Sequence, residues 1–172
     1  MAKPKLATCS LAGCFGCHMS LLDIDERILE LTEIFDLDRS PLNDKKVFDS
    51  IVDVGFIEGG CASEHDVRVL RDFREHCTVL LAVGACAISG GVPAMRNPIS
   101  LRECLEATYG GAPPDDDELP RLLDRVYPTH EVVTIDYFLP GCPPSADAIW
   151  EALKQLAAGQ ALSLPYRLLK YD

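Results

Sequence analysis

Eight of the 172 residues are cysteine, at positions 9, 14, 17, 61, 77, 86, 104 and 142. Cys14 and Cys17 form a CxxC pair with Gly13 and Gly16 beside them, while Gly84-Ala85-Cys86 and Gly141-Cys142-Pro143-Pro144 each set one cysteine next to a glycine. Four thiolates can hold a [4Fe–4S] cluster or a zinc ion, and Cys14, Cys17, Cys86 and Cys142 fit either by count. The two residues between Cys14 and Cys17 can turn around one site, and Pro143 and Pro144 stiffen the last loop while removing two backbone donors. Two plainer readings compete. A CxxC between a strand and a helix is also the place of a redox dithiol, but the Phe15-Gly16 spacer lacks the proline typical there and Cys86 and Cys142 are left unexplained. Structural zinc usually takes two close knuckles, and here the third and fourth cysteines stand alone. Cys9, Cys77 and Cys104 read as small buried hydrophobes. Cys61 follows two glycines at a helix start and is open to either reading.

The elements that must position these residues alternate along the chain. A short strand, Lys5 to Cys9, precedes the loop Ser10 to Gly16 and a helix with Leu21, Ile24, Ile28 and Leu31 on one face. A second strand, Ile51 to Ile57, ends in Glu58-Gly59-Gly60-Cys61. Ser63 with Asp66 predicts a capping box, and Val67, Leu70, Phe73 and Cys77 continue that helix face. Thr78 to Val83 is a continuous apolar strand, as expected when both sheet faces are covered. Helical stretches at Ser100 to Thr108 and Leu119 to Val126 precede a strand from Glu131 to Ile135. Ser145 caps a last helix with Ile149, Trp150, Leu153, Leu156 and Ala157 inward, and Gly159 stops it.

Such alternation predicts an α/β fold, a doubly wound parallel sheet with helices on both faces, in flavodoxin-like order and as a single domain spanning residues 1–172. Cys14 and Cys17 then follow the first strand, Cys61 the second, Cys86 the third and Cys142 the last. All those strand ends lie along one edge, where open α/β sheets bind ligands. Neither GxGxxG nor GxxxxGK[ST] occurs, so no phosphate-binding fingerprint is present.

The net charge of −11 argues against nucleic acid and anionic membrane surfaces as partners. The N-terminal segment lacks a long apolar core before a cleavage site. The uncharged run from Cys77 to Met95 carries Gly84, Gly90, Gly91 and Pro93 and reads as a buried strand plus loop rather than a membrane span. A cytoplasmic setting follows, where clustered thiols signal metal or redox chemistry. Asp115-Asp116-Asp117-Glu118 reads as a solvated loop.

Three motifs carry a resemblance. The run Leu11-Ala12-Gly13-Cys14-Phe15-Gly16-Cys17-His18-Met19-Ser20, continuing into Asp23-Ile24-Asp25-Glu26-Arg27, resembles the small subunit of [NiFe] hydrogenases. It looks most like the cytoplasmic bidirectional, NAD-reducing type. Gly84-Ala85-Cys86-Ala87 through Gly90-Gly91-Val92-Pro93-Ala94-Met95-Arg96-Asn97 and Leu139-Pro140-Gly141-Cys142-Pro143-Pro144 support it, as does Glu58-Gly59. The likeness runs from about Leu6 to Ala158.

The resemblance implies an electron-transfer subunit, inactive alone, whose flavodoxin-like domain holds the [4Fe–4S] cluster proximal to a Ni–Fe centre in a separate large subunit. Its matched ligands are Cys14, Cys17, Cys86 and Cys142. Electrons from dihydrogen would leave towards diaphorase subunits carrying iron–sulfur clusters, FMN and NAD. An FMN on this chain is a further option, although no flavin fingerprint supports it. His18, beside a ligand, could donate to a cluster sulfur or the large subunit, or simply open a helix. Glu58 could lie on a proton route or cap the next helix. Arg96 and Asn97 would shape the loop after Cys86 and face the partner. Met19 stands where membrane-bound and periplasmic members often carry a glutamate, so that proton-transfer role does not carry over. The resemblance also leads us to expect no C-terminal segment with two further clusters, which those members carry. A complex-I-like, quinone-linked relay is the runner-up, although its paired adjacent cysteines do not match Cys14-x-x-Cys17. A stand-alone dithiol oxidoreductase is the third reading.

Overall fold

A computed structural model of the chain describes residues 3–111, 116 and 118–169. Asp115 and Asp117 of the acidic loop expected at 115–118 lie outside them. Among the described residues, seven strands and six α-helices occur in the order β1 (Lys5–Ser10), α1 (Gly16–Leu22), α2 (Arg27–Ile34), β2 (Asp36–Leu37), β3 (Val52–Glu58), β4 (Cys61–Ser63), α3 (Glu64–His76), β5 (Cys77–Val83), α4 (Gly84–Ser89), α5 (Leu101–Tyr109), β6 (Leu122–Tyr127), β7 (Tyr137–Leu139) and α6 (Ala146–Ala157). The main sheet is five-stranded and wholly parallel, ordered β2-β1-β3-β5-β7. Each crossover returns the chain to the same starting edge, so the strands share a direction and helices must cover both faces. This is the flavodoxin-like order expected from the sequence.

Two cores flank the sheet. Leu81 and Val83 face one, with Leu21 of α1 and Ile149 and Leu153 of α6, while Leu80 faces the other with Leu70 and Phe73 of α3. The period of two along β5 thus feeds both layers. Ser63 and Asp66 make the expected capping box on α3, and Ser145 accepts the Ala148 N–H at the start of α6. Gly159, at φ 67°, ends that helix region. Among the described residues no helix is long and apolar enough to cross a membrane.

The structure departs from the sequence reading at several places. The first helix is broken in two: Asp25 takes a left-handed φ of 56°, which an aspartate tolerates better than most residues, and α2 starts at Arg27 with no fully buried residue. A two-residue edge strand, β2, pairs with β1 and has no sequence signal of its own. Cys77 is not on the helix face but opens β5, because α3 passes directly into the strand. Leu119 to Val126 is not helical. Its end forms β6, antiparallel to β4, where cross-strand pairing of Tyr127 with Cys61 overrides local propensity. The strand expected at Glu131 to Ile135 forms later, at Tyr137–Leu139. Asp136 sets its start, with Oδ2 accepting the Leu80 N–H at 2.7 Å and contacting Arg74 at 2.7 Å.

Candidate metal centre at the sheet edge

Because the sheet is parallel, β1, β3, β5 and β7 end on one edge at Ser10, Glu58, Val83 and Leu139. Cys14 lies in the loop after β1 and Cys17 in the first turn of α1. Cys142 follows β7. Cys86 sits in the first turn of α4 rather than in the loop expected for it, since the helix begins immediately after β5. Backbone hydrogen bonds lace these segments together. Ala12 and Gly60 exchange N–H···O bonds of 2.9 and 2.8 Å, Leu11 N–H donates to the Glu58 carbonyl at 2.9 Å, and Ala85 N–H donates to the Gly141 carbonyl at 2.8 Å. The Ser20 hydroxyl donates to the Pro144 carbonyl at 2.6 Å.

All four thiols are free. Cys14 and Cys142 are exposed, and Cys17 and Cys86 are half-buried. Burial first, then the negative charges of Glu58, Cys86, Cys14 and Cys142, push the Cys17 thiol up to about 12. Burial likewise raises Cys86; the Val92 amide opposes this, while Cys142, Cys14 and Glu58 add to it. The four motif cysteines therefore form one electrostatic group. Four thiolates here repel each other, so a cationic metal group is what would stabilise them together.

The backbone leaves room around the sulfurs. Gly84, at φ 83°, is placed so that an added Cβ would overlap Cys17 Sγ, and at Gly91, φ 49°, it would come within 2.8 Å of Cys86 Sγ. Both positions need glycine twice over, for conformation and for space. Among the described residues no three His, Cys, Asp or Glu side chains close around a point that could hold a single metal ion. The space kept beside Cys17 and Cys86 leaves the thiols a cradle in which a multi-iron group would fit.

His18 and Glu58 are buried together beneath this edge, 0% and 2% exposed. Glu58 Oε2 accepts the His18 amide N–H at 2.7 Å, and Oε1 accepts the Ser10 hydroxyl at 2.9 Å. The His18 ring Nδ1 lies 2.9 Å from Oε2 without making a directed hydrogen bond. Burial alone would raise the Glu58 carboxyl. The His18 side chain, the Ser10 hydroxyl and the His18 amide outweigh it and hold the carboxyl below the usual range. Glu58 does not cap the next helix, where Ser63 has that role.

Other expected residues fall out differently. Cys61 is fully buried on β4 rather than at a helix start, and burial pushes its thiol up to about 12. Cys9 and Cys77 are buried as expected, whereas Cys104 is only half-buried on α5. Arg96 donates to the Asp124 and Leu123 carbonyls, and Asn97 exchanges hydrogen bonds with the Val126 backbone, so both pin β6 to the loop after Cys86. The sequence reading missed Ser10, Thr8 and Phe15. Thr8 is 1% exposed and pairs with His18 Nε2 at 3.0 Å, and Phe15 stacks on the His18 ring at 4.6 Å. For Thr8 and Ser10 the signal was a polar residue within or ending an apolar strand stretch, and Phe15 carried none.

A family profile described as the NADH ubiquinone oxidoreductase, 20 Kd subunit, matches residues 14–156. The delta subunit of the NAD-reducing hydrogenase HoxS of Cupriavidus necator is 46% identical, across 99% of this chain and 86% of that protein. A subunit of the F420-non-reducing hydrogenase of Methanothermobacter thermautotrophicus is 35% identical over 95% of this chain, which spans 56% of that relative's length. Among solved structures, a chain of an NAD+-reducing [NiFe]-hydrogenase in the H2-reduced state superposes with a TM-score of 0.93, at 47% identity over 99% of this chain and 100% of that one. A [NiFeSe]-hydrogenase chain from Dm. baculatum, at 17% identity and a TM-score of 0.61 over 92% of this chain and 63% of that one, shares the fold.

Proposed function

The chain belongs to the family of the NADH ubiquinone oxidoreductase 20 Kd subunit, and on that premise we propose that it is the electron-transfer small subunit of an NAD-reducing [NiFe] hydrogenase. The observation that carries this reading is the convergence of Cys14, Cys17, Cys86 and Cys142 on one sheet edge, after β1, β5 and β7. These four would hold one [4Fe–4S] cluster, which when bound supplies one-electron transfer. Their loading requires each thiol to lose its proton, and burial makes that costly at Cys17 and Cys86 until iron is present. Gly84 and Gly91 keep side chains out of the cradle. Residues 1–172 act as one iron–sulfur domain in the cytoplasm. The Ni–Fe centre belongs to a large subunit that covers this edge, and the FMN and NAD sites belong to diaphorase subunits.

The chain does no hydrogen chemistry alone, since its four converging cysteines are committed to one cluster. A complex-I-like relay shares the family and fold, but the CxxC spacing of Cys14 and Cys17 favours the hydrogenase reading. Metal analysis of the native complex decides between them. Iron on this chain, about four per chain for one cluster, with nickel in a co-purifying subunit is expected. Iron without nickel would point to the quinone-linked relay, and a colourless chain with a reversible Cys14–Cys17 disulfide would sink both.

A further inference from the structure

We propose that Glu58 is a fixed negative charge, clamped beside the four-cysteine site by Ser10 and His18, that holds down the reduction potential of the group carried there. The inference rests on the cluster reading and deepens it.

Glu58 ends β3 with its side chain 2% exposed, and carboxylates are rarely buried without partners. Two donors reach it, the Ser10 hydroxyl at 2.9 Å and the His18 amide at 2.7 Å, and the His18 ring Nδ1 lies 2.9 Å from Oε2. A carboxyl surrounded by donors is held in its ionised form. No lysine or arginine forms an ion pair with it among the described residues.

The clamp is itself held in place. His18 Nε2 lies 3.0 Å from Thr8 Oγ1, which in turn pairs with Ser40 Oγ at 2.7 Å. The ring stacks on Phe15 at an interplanar angle of 10° and meets the edge of Phe56. Phe15 lies inside the CxxC, and Cys17 immediately precedes His18. The same contacts that fix the carboxylate therefore fix the ligand loop against it, at a φ of 65° for Phe15 that few non-glycine residues adopt. The end of β3 also lies against the ligand loops: a Cβ at Gly13, beside Cys14, would come within 3.4 Å of Gly59 Cα and 4.0 Å of Cys86 Cβ.

A redox group becomes more negative when it gains an electron. A fixed anion nearby in a poorly polarisable interior opposes that gain, so the potential falls. Glu58 thus acts through its field on the reduced state, while its bond to the His18 amide makes it a positioning residue for Cys17.

The test uses the intact complex, with iron content and an EPR-monitored redox titration of the cluster. Glu58→Gln keeps the shape and an acceptor for the His18 amide but removes the charge, so the midpoint should rise with iron unchanged. Ser10→Ala removes a donor that partly neutralises the carboxylate, so the midpoint should fall. Should Glu58→Gln lose its iron, Ser10→Ala alone carries the test, and an unchanged or higher midpoint overturns the proposal. Glu58→Gln with full iron and an unmoved midpoint also overturns it, as expected if a His18 imidazolium cancelled the charge. A wild-type complex lacking iron on this chain would instead sink the cluster reading on which the proposal stands.

Discussion

Serine in place of cysteine separates the two groups of thiols. At Cys14, Cys17, Cys86 or Cys142 it should lower iron occupancy, because a hydroxyl is a harder and poorer ligand for iron than a thiolate. At Cys77, which is 4% exposed, it should leave iron in place and cost about 1–3 kcal/mol of stability through burial of a hydroxyl. Iron analysis beside a denaturant melt checks both, and equal iron loss from the two groups would contradict the assignment. The buried thiols also give a pH dependence. Burial raises Cys61 and Cys77 to about 12, well above an unfolded thiol near 8.5. A raised folded pKa stabilises fully below the unfolded value and is lost as pH climbs towards the folded one. Stability from these two residues should therefore decline between roughly pH 8.5 and 12, and a Cys77→Ala variant melted across that range should show a shallower decline. That the four motif cysteines share one sheet edge was legible because each follows an apolar strand run in sequence. The Glu58–His18 contact was not, since residues 40 positions apart meet only once β1 and β3 pair in register.

At the scale of elements, legibility tracked how local the determinants are. The α3 capping box needs only Ser63 and Asp66, and the structure shows both halves of it, with Asp66 Oδ2 also accepting the Ala62 N–H at 2.9 Å. Ser63→Ala should cost about 1 kcal/mol, read as a lower denaturation midpoint at unchanged slope. A variant as stable as the wild type would mean that Asp66 alone closes the helix start. Strand order was legible too, because an unbroken apolar run such as Thr78 to Val83 implies a sheet covered on both faces. The failures share one cause. β6 exists only because β4 offers it a partner, and β7 begins where Asp136 reaches across to Leu80 and Arg74. Val132, Val133 and Ile135, which look like a strand in sequence, instead pack beneath the second core.

The whole molecule carries a net charge of −11, yet apolar side chains stand exposed beside the thiol edge. Met19 follows His18 at 51% exposure, and Val92 and Met95 follow Cys86 at 68% and 74%. The Val92 amide reaches the Cys86 thiol, so this stretch is continuous with the proposed metal centre. Single exposed hydrophobes are ordinary, but several flanking one functional edge mark a surface that is covered in the assembly. A cluster there would also need a redox partner close by, and the proposed large subunit would cover the same edge. Charge alone would keep the isolated chain soluble, and the apolar edge opposes that. Met95→Lys tests the arrangement, because Met95 lies on a short 3-10 turn well exposed to solvent and does not line the cradle. The variant's melting should stay within about 0.5 kcal/mol of the wild type, as for an ordinary surface substitution. In the native host it should nevertheless co-purify poorly with the nickel-bearing subunit, and a second lysine at Met19 should deepen the loss. Undiminished recovery of the double variant in complex would place the partner on another face of the sheet.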